Sequence, residues 1–103
     1  MDLYINNTNV LENGAVVNSN GKVMVPVKEF AEGIGANIYL DSNQVTYTIN
    51  KENTELVINL NDNTVKLNGK YIASPQGMQL IGQKLYTPVT FTANIFGLKT
   101  YID

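Results

Sequence analysis

The segment Asn59-Leu60-Asn61-Asp62-Asn63-Thr64 sets oxygen-bearing side chains at close spacing, a pattern by which a loop can wrap a calcium ion. A calcium loop wants several carboxylates and usually a bidentate Glu. Asp62 is the one acid here and the loop glycine is missing, so the segment is expected to be a turn. Glu29 and Glu32 lie on one turn of a predicted helix, where two carboxylates could act as acid and base. That division of labour needs surroundings that separate their pKa values. Nothing nearby would do so, and a solvated face is expected. Asp41 and Asp103 close equivalent strands and are expected to hold turn or loop backbone. Asn6-Asn7-Thr8 is formally a glycosylation triplet, of a kind frequent by chance in an Asn-rich chain.

The chain contains no His and no Cys. The commonest general base, the commonest transition-metal ligand, thiol nucleophiles, thiolate metal sites and disulfides are thereby removed together. No catalytic, cofactor-binding or metal-binding residue is assigned. What remains are six Tyr and three Phe. Exposed rings could form a platform for sugars, with Tyr39, Tyr47 and Tyr101 as the candidate contacts. Tyr is also a favoured strand residue, so core or cross-strand packing is the competing expectation.

At 103 residues the chain is expected to be one domain that buries roughly two-thirds of its unfolded surface. With 44% hydrophobic and only 16% charged residues, it has the composition of an ordered globular protein. A net charge of −2, with seven Lys and Arg scattered singly, makes nucleic acid and anionic membrane poor partners. No run approaches the roughly 18 apolar residues of a membrane span, and Met1-Asp2 begins no signal peptide.

The elements that must position these residues centre on Val23 to Asp41. Pro26 restricts its own φ and pushes Val25 into an extended conformation, so a strand is expected to end at 25 and a helix to begin at 26. Val27, Phe30, Ala31 and Ile34 form one apolar helical stripe, while Lys28, Glu29 and Glu32 face water. Gly33 and Gly35 are candidates for the left-handed stop. Ile38, Tyr39 and Leu40 then run extended.

The same phrase returns 62 residues later. Pro88 through Asp103 lies on Pro26 through Asp41 without a gap, with six of sixteen positions identical. Pro88, Phe96 and Gly97 repeat the roles of Pro26, Ile34 and Gly35. Thr87, before the second Pro, has a hydroxyl that could cap the helix. Units of about 3–41 and 65–103 are therefore expected to build one pseudo-symmetric domain over 1–103, joined by a β-meander. That meander is read from the alternating Gln44 to Asn50, from Leu56 to Leu60 and from Val65 to Leu67. Asn13-Gly14, Asn20-Gly21 and Asn68-Gly69 mark tight turns, and Ser74-Pro75-Gln76-Gly77 a loop. The expected fold is α+β, an antiparallel β-sheet with two short helices.

Val-Pro-Val-Lys-Glu-Phe-Ala-Glu-Gly-Ile-Gly-Ala at 25–36, followed by Ile-Tyr-Leu-Asp at 38–41, resembles the copper amine oxidase N-terminal domain family, the stalk-type domain. Members carry a Val-Pro-Leu-Arg-x-x-Ala-Glu-x-Leu-Gly-like phrase and a strand ending in an aromatic residue and Asp, commonly twice. The resemblance covers nearly the whole chain. The second unit departs from it at Thr87, Thr90 and Asn94, where Val, a basic residue and Glu are usual. The resemblance implies a small antiparallel sheet with short helices and a non-catalytic appendage, away from the copper site of amine oxidases. It also implies a neighbour of cell-wall hydrolases and other surface modules in secreted Gram-positive proteins. The copper and quinone chemistry of such oxidases needs three His and a Tyr between Asn and an acid. None of the six Tyr here stands in that setting, so nothing catalytic carries over.

The expected function is a non-enzymatic extracellular accessory, interaction or spacer module of a larger secreted or cell-surface protein. Its localisation is expected to be extracellular or wall-associated. The stop at Asp103, where the first unit closes its strand, suits a module of a longer protein. The alternative is a glycan- or cell-wall-polymer-binding module using exposed tyrosines. Phe91 and Ile95, four apart on the second helix, stand where the first unit has Glu29 and Gly33. They are the candidate interface, to a neighbouring domain or to a second copy in a homodimer.

Overall fold

The computed structural model describes residues 1–5, 7–12, 14–17, 20–43 and 45–102. The central segment forms the largest sheet. Here β5 (Asn37–Leu40), β6 (Thr46–Lys51), β7 (Thr54–Asn59), β8 (Thr64–Leu67) and β9 (Lys70–Ile72) pair in chain order, each antiparallel to the next. Short turns allow this. Asn68 and Gly69 both take positive φ (50° and 85°), the pairing that matches the twist of two hairpin strands. The meander expected from the sequence is thus the middle of a five-stranded sheet, with Lys70–Ile72 as a strand that the apolar pattern did not mark.

The remaining strands form two smaller antiparallel sheets rather than joining the first. One has the order β12-β1-β2, from β1 (Leu3–Ile5), β2 (Thr8–Leu11) and β12 (Thr100–Ile102). The other has the order β10-β11-β4-β3, from β3 (Val16–Val17), β4 (Val23–Pro26), β10 (Gln79–Ile81) and β11 (Lys84–Pro88). A single sheet was expected. Pro26 and Pro88 end β4 and β11, and a proline has no N–H with which to continue a ladder. The chain therefore leaves the sheet there and turns into a helix.

The helices are α1 (Val27–Gly33) and α2 (Val89–Ile95). Pro26 is not the first helical residue; at φ −70° and ψ 127° it is the extended N-cap. Its φ suits helix and strand alike, and ψ decides. Gly35 and Gly97 adopt φ of 76° and 66° just past each helix. Ala36 N–H donates to Ala31 O and Leu98 N–H to Ala93 O, both at 2.9 Å, closing a Schellman turn at each C-terminus. Gly33 stays helical and does not make the stop.

Thr87 does not cap α2. It is buried in β11, and neither helix has a side-chain cap hydrogen bond. The hydroxyl that bonds near this helix start is that of Thr92, which lies 3.3 Å from both Pro88 O and Val89 O.

Two buried clusters hold the layers together. Val27 and Ala31 of α1 meet Tyr47, Ile49, Leu56, Ile58 and Val65 of the five-stranded sheet, with Leu85. Phe30, on the next face of the same helix, joins Leu3, Ile5, Leu11, Ala15, Val25 and Val89. Ala93 is buried, Ile34 is half-buried against the second cluster, and Phe96 packs against both.

Candidate interaction surface

Because side chains alternate across a strand, the register of the five-stranded sheet fixes what each face carries. Leu40, Tyr47, Ile58, Val65 and Ile72 stand in one row across the strands. All but Leu40, which is exposed at the edge, join Ile38, Ile49 and Leu56 in the face packed on α1 and α2. The row between them points the other way. It runs Tyr39, Thr48, Val57, Lys66, Tyr71, one residue from each strand in direct register. No residue of that row is buried, and its two ends are the most exposed, Tyr39 at 69% and Tyr71 at 67%. The Lys66 ammonium sits 4.6 Å from the centroid of the Tyr71 ring, a cation–π contact that orients it.

The three tyrosines expected to act together are separated. Tyr39 lies on this open face. Tyr47, 7% exposed, turns into the core on the opposite face, where burial pushes its phenol pKa above the ordinary value. Tyr101, 63% exposed, belongs to the three-stranded sheet, directly opposite Tyr4 with ring centroids 6.0 Å apart. Tyr71 was missed, although its signal was present. A two-residue Asn68-Gly69 turn places Lys66 opposite Tyr71, and alternation then gives both the face of Val57.

A pocket of about 270 Å³ opens between α1 and β11, lined by Lys28, Glu29, Leu40, Tyr47, Lys84 and Leu85. Glu29 is not simply a solvated side chain. It is half-buried, its Oε1 lies 3.4 Å from Lys84 Nζ, and its Oε2 is buried with no hydrogen-bond partner among the described residues. Glu32 is exposed. The ion pair joins α1 to β11, which suffices to explain its position.

Phe91 and Ile95 are both half-buried, with their inner surfaces packed against the cluster beneath the five-stranded sheet. Asn59 and Asp62 of the 59–64 segment spend a side-chain oxygen on its own turn. Asn59 Oδ1 accepts from Asn61 N–H, and Asp62 Oδ1 from both the N–H and hydroxyl of Thr64. Asp41 Oδ1 accepts from the N–H groups of Val45 and Thr46, the loop-holding role expected of it. Asp103, Asn6 of the glycosylation triplet and Asn13 of a predicted turn lie outside the described residues. The donor set does not fit copper. The chain lacks His and Cys, and no three acidic side chains cluster among the described residues. No helix among them is long and apolar enough to cross a membrane.

Over residues 4–103, nearly the whole chain, the sequence matches the copper amine oxidase N-terminal domain. The chain belongs to this family, a non-catalytic accessory domain. No curated protein and no solved structure matches it.

Proposed function

We propose that this domain is a non-enzymatic interaction module of a larger secreted or cell-surface protein, holding that protein against neighbouring domains or wall material. The observation that carries this reading is the open face of the five-stranded sheet, a row of in-register side chains of which none is buried among the described residues. The absence of His and Cys and the engagement of Asp41, Asp62 and Asn59 in turns support a role in binding rather than turnover. Phe91 and Ile95 keep part of their surface in solvent and offer a second contact, to an adjacent domain or a second copy.

Deleting the segment from the full-length protein tests this directly. The catalytic rate of the remaining protein is expected to persist while its retention at the cell surface falls. Unchanged retention together with lost turnover would assign the domain to the catalytic part instead.

A further inference from the structure

We propose that the row Tyr39–Thr48–Val57–Lys66–Tyr71 is a binding track for a linear polysaccharide lying across the strands. This rests on the interaction-module reading and gives its partner a chemical class. The five residues are paired in register from one edge of the sheet to the other, so they form one continuous row across the strands. Four strand spacings separate the terminal tyrosines, about 19 Å at the usual interstrand distance. That span fits an oligosaccharide of several units and is too long for a monosaccharide. An aromatic ring presents a flat apolar surface with a hydroxyl at its tip, which suits the C–H faces and hydroxyls of a pyranose. Lys66 covers one face of the Tyr71 ring and orients it, and the ring, 67% exposed, keeps surface for a sugar.

The rest of the face selects among macromolecules. The neighbouring rows carry Asn37, Asn50 and Thr46, neutral groups that donate and accept hydrogen bonds as sugar hydroxyls do. Within the strands, Lys66 and Glu55 are the charged residues of this face among the described residues, and Asp41 at the end of β5 is tied to the loop backbone, so the face carries little net charge. A single-stranded nucleic acid would need a basic groove beside the rings. The fully buried core of a protein interface is more apolar than the surface around it, and Val57 is the single aliphatic residue at the centre of this face among the described residues. A polymer that is polar, weakly charged and able to stack matches all three features.

The test uses the 103-residue chain against insoluble chitin, cellulose, xylan and peptidoglycan, with chitohexaose and cellohexaose as soluble probes in calorimetry. At least one polymer is expected to bind, with its hexasaccharide at least tenfold tighter than its disaccharide where the soluble pair exists. Tyr39→Ala and Tyr71→Ala should each weaken binding at least tenfold, and Tyr101→Ala, an exposed ring on another sheet, should not. Circular dichroism of the variants separates this loss from unfolding. Failure to bind any of the four polymers overturns the proposal, as does binding that survives the Tyr39→Ala/Tyr71→Ala double variant. If deletion of the whole domain abolishes surface retention while that double variant keeps it, the accessory reading stands and the track falls.

Discussion

Val25 and Thr87 face each other across the ladder between β4 and β11, each the residue before its unit's helix-opening proline. Around them Met24 pairs with Pro88 and Pro26 with Tyr86. The two sites differ by one atom type. Both side chains are fully buried, and the Thr87 hydroxyl finds no hydrogen-bond partner among the described residues. A buried unsatisfied polar group costs about 1–3 kcal/mol. Thr87→Val keeps the shape and copies the residue used opposite, so it is expected to stabilise by about 1 kcal/mol. A higher urea midpoint at unchanged slope checks it. Thr92→Val is the control: its hydroxyl already lies within reach of two carbonyls, so no comparable gain is expected.

Gly33 explains a difference between the units that the sequence alone leaves open. Its counterpart in α2 is Ile95, yet a Cβ on Gly33 would lie 2.4 Å from the backbone oxygen of Val10. The helix packs against β2 at that point, and a backbone atom cannot swing aside. Gly33→Ala is expected to destabilise by roughly 1–3 kcal/mol, the overpacking range, although Ala is the better helix former. Gly35→Ala meets open space but a φ of 76°, so its penalty is strain alone. Gly35→Asn should recover part of that loss, whereas Gly33→Asn should recover none. Thermal melts of the four variants decide this.

The legible parts of the fold are those where a backbone preference and an apolar pattern agree. Val25-Pro26 and the stripe Val27, Phe30, Ala31 mark α1, and Gly35 marks its end. The α+β class and the antiparallel pairing followed from these and from the alternating strand around Tyr47. What was not legible depended on distant register. Glu29 reads as a solvated residue until β11 brings Lys84 to it. Tyr39 and Tyr71, 32 residues apart, become partners only once four hairpins stack in order. The division into three sheets depends likewise on where Pro26 and Pro88 release the ladder.

Tyr47 provides a pH test of the core. Burial raises its pKa above the ordinary value of 10.0. The unfolded chain therefore loses this proton first as pH rises. The contribution is present in full below about pH 10 and is lost above it, as the folded pKa is approached. Tyr47→Phe is expected to flatten the fall of stability above pH 10 while leaving the neutral range nearly unchanged. Identical alkaline slopes in urea titrations of the two proteins would show that another group governs the loss.

Copper and other transition metals are expected to leave the domain unaffected. No imidazole or thiolate is available, and its acidic side chains do not cluster in threes among the described residues. Calorimetry with Cu²⁺ should show no stoichiometric binding at micromolar affinity. Purified domain mixed with copper should turn over no primary amine. Either signal at stoichiometric level would contradict the donor chemistry set out above.

The two helices separate core from surface. Phe30 is fully buried between α1 and the three-stranded sheet, so Phe30→Ala is expected to cost about 3–5 kcal/mol. Phe91 also packs on a core cluster but keeps part of its ring in solvent, so Phe91→Ala should cost distinctly less. Phe91→Glu goes further, since its carboxylate can reach water only along the exposed side. The variant is expected to fold with lowered stability and to weaken any self-association of the wild type. Sedimentation velocity at high concentration, run beside urea melts, reads both effects. If the wild type is a strict monomer and Phe91→Glu unfolds it, the Phe91–Ile95 side of α2 serves the core alone and the second contact proposed there is wrong.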